Sequence, residues 1–99
     1  MPYGHLSDEA LVAHIVQGDA SALEILYDRY AATVLAMLIQ LIGERTAAEE
    51  ILQETFWQVW KRGSMYQPHR EPFLHWLYEI AQVLATQNSV RIKDQNSGK

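Results

Sequence analysis

Apolar residues recur every three to four positions along nearly the whole chain, and no stretch alternates with period two for long enough to make a strand. Only helices bury stripes of that kind, so the spacing predicts an all-α protein. The 99 residues leave room for one core, and a chain that is 48% hydrophobic with three Pro and five Gly can fill it. A single helical domain over 1–99 is therefore expected, with its folded part at about 7–88 and a frayed tail at 89–99 where apolar content runs out.

Start and stop signals divide this pattern into four helices. Ser7, followed by Asp8 and Glu9, reads as an N-cap with acids in the first turn, and Gly18 ends that helix after Leu11, Val12, Ile15 and Val16. Asp19 or Ser21 can cap a long second helix that carries Leu23, Leu26, Tyr27, Tyr30, Val34, Leu35, Leu38, Ile39 and Ile42 up to Gly43. Thr46-Ala47-Ala48-Glu49 fits a capping box, which starts a third helix at Ala47 with Ile51, Leu52, Phe56, Val59 and Trp60 inward and an end near Gly63. Pro68 keeps the next segment a loop. Pro72 at a first helical position then opens a fourth helix through Phe73, Trp76, Leu77, Ile80, Ala81, Leu84 and Ala85.

The chemistry that these residues exclude is as informative. With no cysteine there is no disulfide framework, thiolate metal site or cysteine nucleophile, which suits a reducing, cytoplasmic setting. His5, His14, His69 and His75 show no metal-pair spacing and read as surface or loop histidines, and Glu49 and Glu50 diverge on a helix, so neither a metal site, a cofactor nor a catalytic set is expected. The opening residues lack a basic region followed by an apolar run, as a secretory signal would have. The uncharged stretch from Ala31 to Ile42 is too short to span a bilayer, which takes about 20 residues, so no membrane insertion is expected. Charge is divided unevenly: residues 1–55 carry a net of −7 and residues 56–99 a net of +3, within a total of −4. That division suits either two different partners or simple solvation.

Two linked blocks carry a resemblance. Glu49-Glu50-Ile51-Leu52-Gln53-Glu54-Thr55-Phe56-Trp57-Gln58-Val59-Trp60 is followed, after a loop, by Pro72-Phe73-Leu74-His75-Trp76-Leu77-Tyr78-Glu79-Ile80-Ala81. Together they resemble region 2 of bacterial RNA polymerase sigma factors, in the extracytoplasmic-function (ECF) group of the sigma-70 family. Upstream, Ala22, Leu26, Tyr27 and Tyr30 match that family's opening pattern A-x-x-x-L-Y-x-x-Y. The resemblance implies a compact four-helix sigma region-2 domain with a long second helix. It implies a non-enzymatic transcription-initiation module that binds RNA polymerase core and helps recognise and melt the minus-ten promoter element.

On that resemblance, Glu50, Gln53, Glu54 and Trp57 would meet the clamp helices of the polymerase β′ subunit. Their spacing puts them on one helix stripe, and the other reading of the same spacing is a solvated face with Trp57 in the core. Lys61, Arg62, Tyr66, His69, Arg70 and His75 would be the promoter-facing set, with Tyr66 as the stacking aromatic; each also reads as an ordinary solvated side chain. Trp76, on the apolar stripe, is expected in the core. The family pattern F-R-x-W-L-Y-R-I-A-R-N has lost its arginines at Leu74, Glu79 and Gln82, so DNA affinity in isolation should be weak. The alternative is a sigma-like interaction module that binds polymerase or an anti-sigma factor with little or no DNA readout.

Overall fold

The computed structural model describes the backbone of residues 5–97 and the side chains of residues 5–87. Four α-helices form among them: α1 (Asp8–Val16), α2 (Ala20–Ile42), α3 (Arg45–Arg62) and α4 (Phe73–Ser97), with a 3-10 turn at Gly63–Met65 and no strand among the described residues. The all-α fold with a long second helix is what the apolar spacing requires.

Each boundary has a local cause. The Ser7 hydroxyl accepts the Ala10 amide at 3.1 Å, and the Asp19 carboxylate accepts the Ser21 amide at 3.0 Å, so Asp19 rather than Ser21 caps α2. Gly43 ends α2 at φ +80°, a left-handed conformation that costs glycine little, and its N–H closes on the Ile39 carbonyl at 2.7 Å. Helix α3 departs from the sequence reading. It begins at Arg45 because the Glu44 carboxylate accepts the amides of Thr46 at 3.0 Å and Ala47 at 3.2 Å. Glu49, assigned to a capping box with Thr46, pairs instead with Arg45 at 3.1 Å. A carboxylate at Glu44 serves two amides and sets a full negative charge on the helix N-terminus, which a threonine hydroxyl cannot do. Pro72 sits just before α4, and its carbonyl accepts the amides of His75 and Trp76. The helix then continues to Ser97, past the expected folded limit near residue 88.

Helix α2 is central, packed against α1, α3 and α4, while α3 also packs on α4 and the 3-10 turn lies on α1. By length and composition α2 could cross a membrane, but here Ala22, Ile25, Leu26, Val34 and Leu38 are buried against its neighbours. The α4 side of the core is a narrow stripe, Phe73, Leu77, Ala81 and Ala85, at successive i+4 steps. Its two alanines let α4 approach closely, and Phe73 supplies the bulk at the other end. Trp76 packs partly buried against this core, as its place on the stripe predicts.

Candidate interaction surfaces

Helix α3 sorts its residues sharply by face. Ala48, Ile51, Leu52, Thr55, Phe56 and Val59 are buried, whereas Glu50, Gln53, Glu54 and Trp57 are all exposed. The structure thus assembles the stripe expected from their spacing. Trp57 decides between its two readings: it is 51% exposed while the adjacent Phe56 is 4% exposed, so it is not a core residue. Lys61, one turn on, holds its Nζ 5.5 Å from the Trp57 ring centroid in a cation–π contact, and Gln58 donates to Glu54 at 2.8 Å. An acidic and amide surface therefore grades along α3 into an aromatic one and then, at Lys61 and Arg62, into a basic one.

From the end of α3 onward the candidate promoter-facing residues divide. Lys61, Arg62, His69, Arg70 and His75 are exposed, and the His75 imidazole lies 3.3 Å from the Glu71 carboxylate. Tyr66 does not join them. It is 7% exposed, with its ring edge-on to Phe73 at 5.8 Å and tilted against Trp76 at 5.2 Å, and its hydroxyl donates to the Glu71 carbonyl at 3.0 Å. Burial first, and then the carboxylates of Glu9, Asp8 and Glu71, push its phenol above the ordinary tyrosine range, so it remains a protonated donor at neutral pH. With its ring packed against Phe73 and Trp76, Tyr66 has little surface open to stacking on a base, unlike the other residues of the set. A loop residue has no period to mark it as inward; its ring partners lie in the next helix.

Met65 occupies the outward place that Tyr66 lacks, being 65% exposed in the 3-10 turn. Spacing alone gave no signal of this, because the turn sits outside any helical register. At the positions where the resemblance leads one to expect arginine, Glu79 and Gln82 face solvent and Leu74 is half-buried. Among the described residues no group of His, Asp or Glu is placed to hold a metal ion.

Three helices packed on a central α2, with one polar and aromatic face of α3 left to solvent, define a small all-α domain. Residues 26–93 match the family model of sigma-70 region 2, and the chain belongs to that family. Its relatives place it in the ECF group. It is 30% identical over 73 residues to the ECF RNA polymerase sigma factor SigK of Mycolicibacterium vanbaalenii, covering 74% of this chain and 37% of that one. It is 25% identical over 87 residues to the ECF RNA polymerase sigma factor SigL of Mycobacterium tuberculosis, covering 86% and 49%. Against the ECF RNA polymerase sigma-E factor of Haemophilus influenzae it is 32% identical over 76 residues, covering 77% and 39%. The chain thus spans less than half the length of these relatives.

Proposed function

We propose that this chain is a non-enzymatic, cytoplasmic transcription-initiation module that docks on RNA polymerase core and helps recognise and melt the minus-ten promoter element. The observation that carries this reading is the exposed stripe Glu50, Gln53, Glu54 and Trp57, set against the buried face of α3 formed by Ala48, Ile51, Leu52, Thr55, Phe56 and Val59. A basic helical partner, such as the β′ clamp helices, would find two carboxylates and a large aromatic anchor on one face, the combination that gives an interface both orientation and area. Promoter DNA is the second partner, met by Lys61, Arg62, His69, Arg70 and His75.

The test is charge reversal on the stripe. Glu50→Lys with Glu54→Lys should weaken binding to a β′ clamp-helix fragment by about tenfold or more, because a like-charge clash at an interface costs several kcal/mol. Helicity should not change, since both sites are exposed. Unaltered binding would exclude this surface.

A second reading rests on the other face. With Glu79 and Gln82 exposed where the family has arginine, and His75 beside Glu71, the DNA-facing side is poor in unopposed cations. The chain would then bind polymerase or an anti-sigma factor with little or no readout of DNA.

A further inference from the structure

We propose that Tyr66 is a positioning residue for the loop between α3 and α4, acting through its hydroxyl rather than through its ring; the proposal rests on the DNA-facing part of the reading above. The loop is tied at both ends by this one residue, through its backbone amide and its side chain. The Tyr66 ring is wedged against Phe73 and Trp76 of α4, its N–H donates to the Gly63 carbonyl at 3.2 Å, and its hydroxyl reaches the Glu71 carbonyl at 3.0 Å. Between those ties the chain turns back on itself. The Arg70 amide donates to the Gln67 carbonyl at 3.0 Å and the Glu71 amide to the same oxygen at 3.4 Å, while the Arg70 guanidinium approaches the Gln67 side chain at 3.4 Å.

The result is a closed turn in which Gln67, Pro68, His69 and Arg70 are all exposed. A loop held in one form presents its side chains without first having to order them, and that ordering is a cost binding would otherwise bear. The hydroxyl does this with a carbonyl that the helix leaves over, since the His75 amide goes to the Pro72 carbonyl and not to that of Glu71. The aromatic ring anchors the turn to the core; the hydroxyl fixes its far end.

Tyr66→Phe separates these roles, because it keeps the ring contacts and deletes only the hydroxyl. Two measurements on the full chain test it: hydrogen exchange at the Arg70 and Glu71 amides, and fluorescence anisotropy with fluorescein-labelled mixed-sequence single-stranded DNA at two salt concentrations. The two amides should exchange faster while those of α2 and α3 keep their protection. Affinity should fall about two- to tenfold, the worth of one hydrogen bond, with the salt slope unchanged because no phosphate contact is lost. Tyr66→Ala should lose stability as well, and Phe should restore the stability but not the affinity. Unchanged exchange at Arg70 and Glu71, unchanged affinity or a shallower salt slope in Tyr66→Phe would each overturn the proposal. No binding by the unmodified chain would overturn the DNA-facing reading and the loop's use with it, while the exchange result separately decides the latch.

Discussion

The Tyr30 hydroxyl donates a hydrogen bond to the carboxylate of Asp8, 22 positions earlier in the chain. The other oxygen of that carboxylate takes the Arg29 guanidinium at 2.8 Å, and Arg29 also donates to the Leu6 carbonyl at 2.7 Å. Asp8, in the first turn of α1, is thereby clipped to two successive residues of α2, and the Tyr30 ring lies 5.8 Å from Phe73 of α4. The A-x-x-x-L-Y-x-x-Y block thus has a physical content here: its last tyrosine joins three helices.

Removing the carboxylate should therefore loosen α1. Asp8→Ala deprives the Tyr30 phenol of its acceptor and Arg29 of one of its acceptors, and should cost about 2 kcal/mol given that the pair is only partly shielded from water. Tyr30→Phe should cost about 1 kcal/mol, and the double variant less than the sum because both changes break one network. Urea unfolding of the four proteins supplies the cycle. Strict additivity would mean that the bond contributes nothing.

The same phenol makes stability fall in alkali. Burial, and then the bond to Asp8, push its pKa from 10.0 up to about 12. The neutral form is thus the one the fold prefers, so its contribution is complete below the unfolded value of 10.0 and is lost as pH rises toward 12. The urea midpoint should drop between those two values, and Tyr30→Phe should flatten the drop. Tyr66, shifted the same way, leaves a residual slope. A midpoint that rises with pH over this range would contradict the assignment.

At the start of α3 the competing caps make opposite forecasts. With Glu44 as the cap, Glu44→Ala should cost about 1 kcal/mol, whereas Thr46→Ala should be nearly neutral and Glu49→Ala should lose only an exposed ion pair of a few tenths. Thermal melting of the three variants ranks them. A larger loss for Thr46→Ala than for Glu44→Ala would restore the capping box.

These contrasts show where sequence was sufficient. Burial of Phe73, Leu77, Ala81 and Ala85 follows from helical spacing alone, because every residue on that stripe meets the same neighbours. The outward polar stripe of α3, Glu50, Gln53 and Glu54, was legible for the same reason, whereas spacing left Trp57 open between core and surface, and its 51% exposure places it outside. Where no period operates, pattern is silent. Tyr66 and Met65 are adjacent in a loop and either could face inward; the choice falls to Tyr66 because Phe73 and Trp76 offer it rings and Glu71 offers its hydroxyl a carbonyl. At the start of α3 the sequence pointed to the Thr46 capping box alone, and the Glu44 carboxylate, which takes two amides, caps the helix instead.

The surface proposed to face DNA can be altered without disturbing the core. Of the positions where the resemblance implies arginine, Glu79 and Gln82 are exposed and open to substitution, whereas Leu74 is half-buried and packs against the core. Glu79→Arg with Gln82→Arg exchanges one acid and one neutral side chain for two cations on solvent-facing positions of α4. If that face follows a nucleic-acid backbone, each new phosphate contact should steepen the dependence of log affinity on log salt by about 0.7 for a single strand. The unmodified chain, with few such contacts, should bind single-stranded DNA weakly and with a shallow slope of about −1.5 to −2. The double variant should bind more tightly at low salt, and its advantage should shrink as salt rises. Leu74→Arg should instead lower stability, since a guanidinium there displaces an apolar contact. Anisotropy titrations at two salt concentrations read both quantities. Tight, steeply salt-dependent binding by the unmodified chain would contradict the thinned surface, and a double variant that still fails to bind would favour the interaction module without DNA readout.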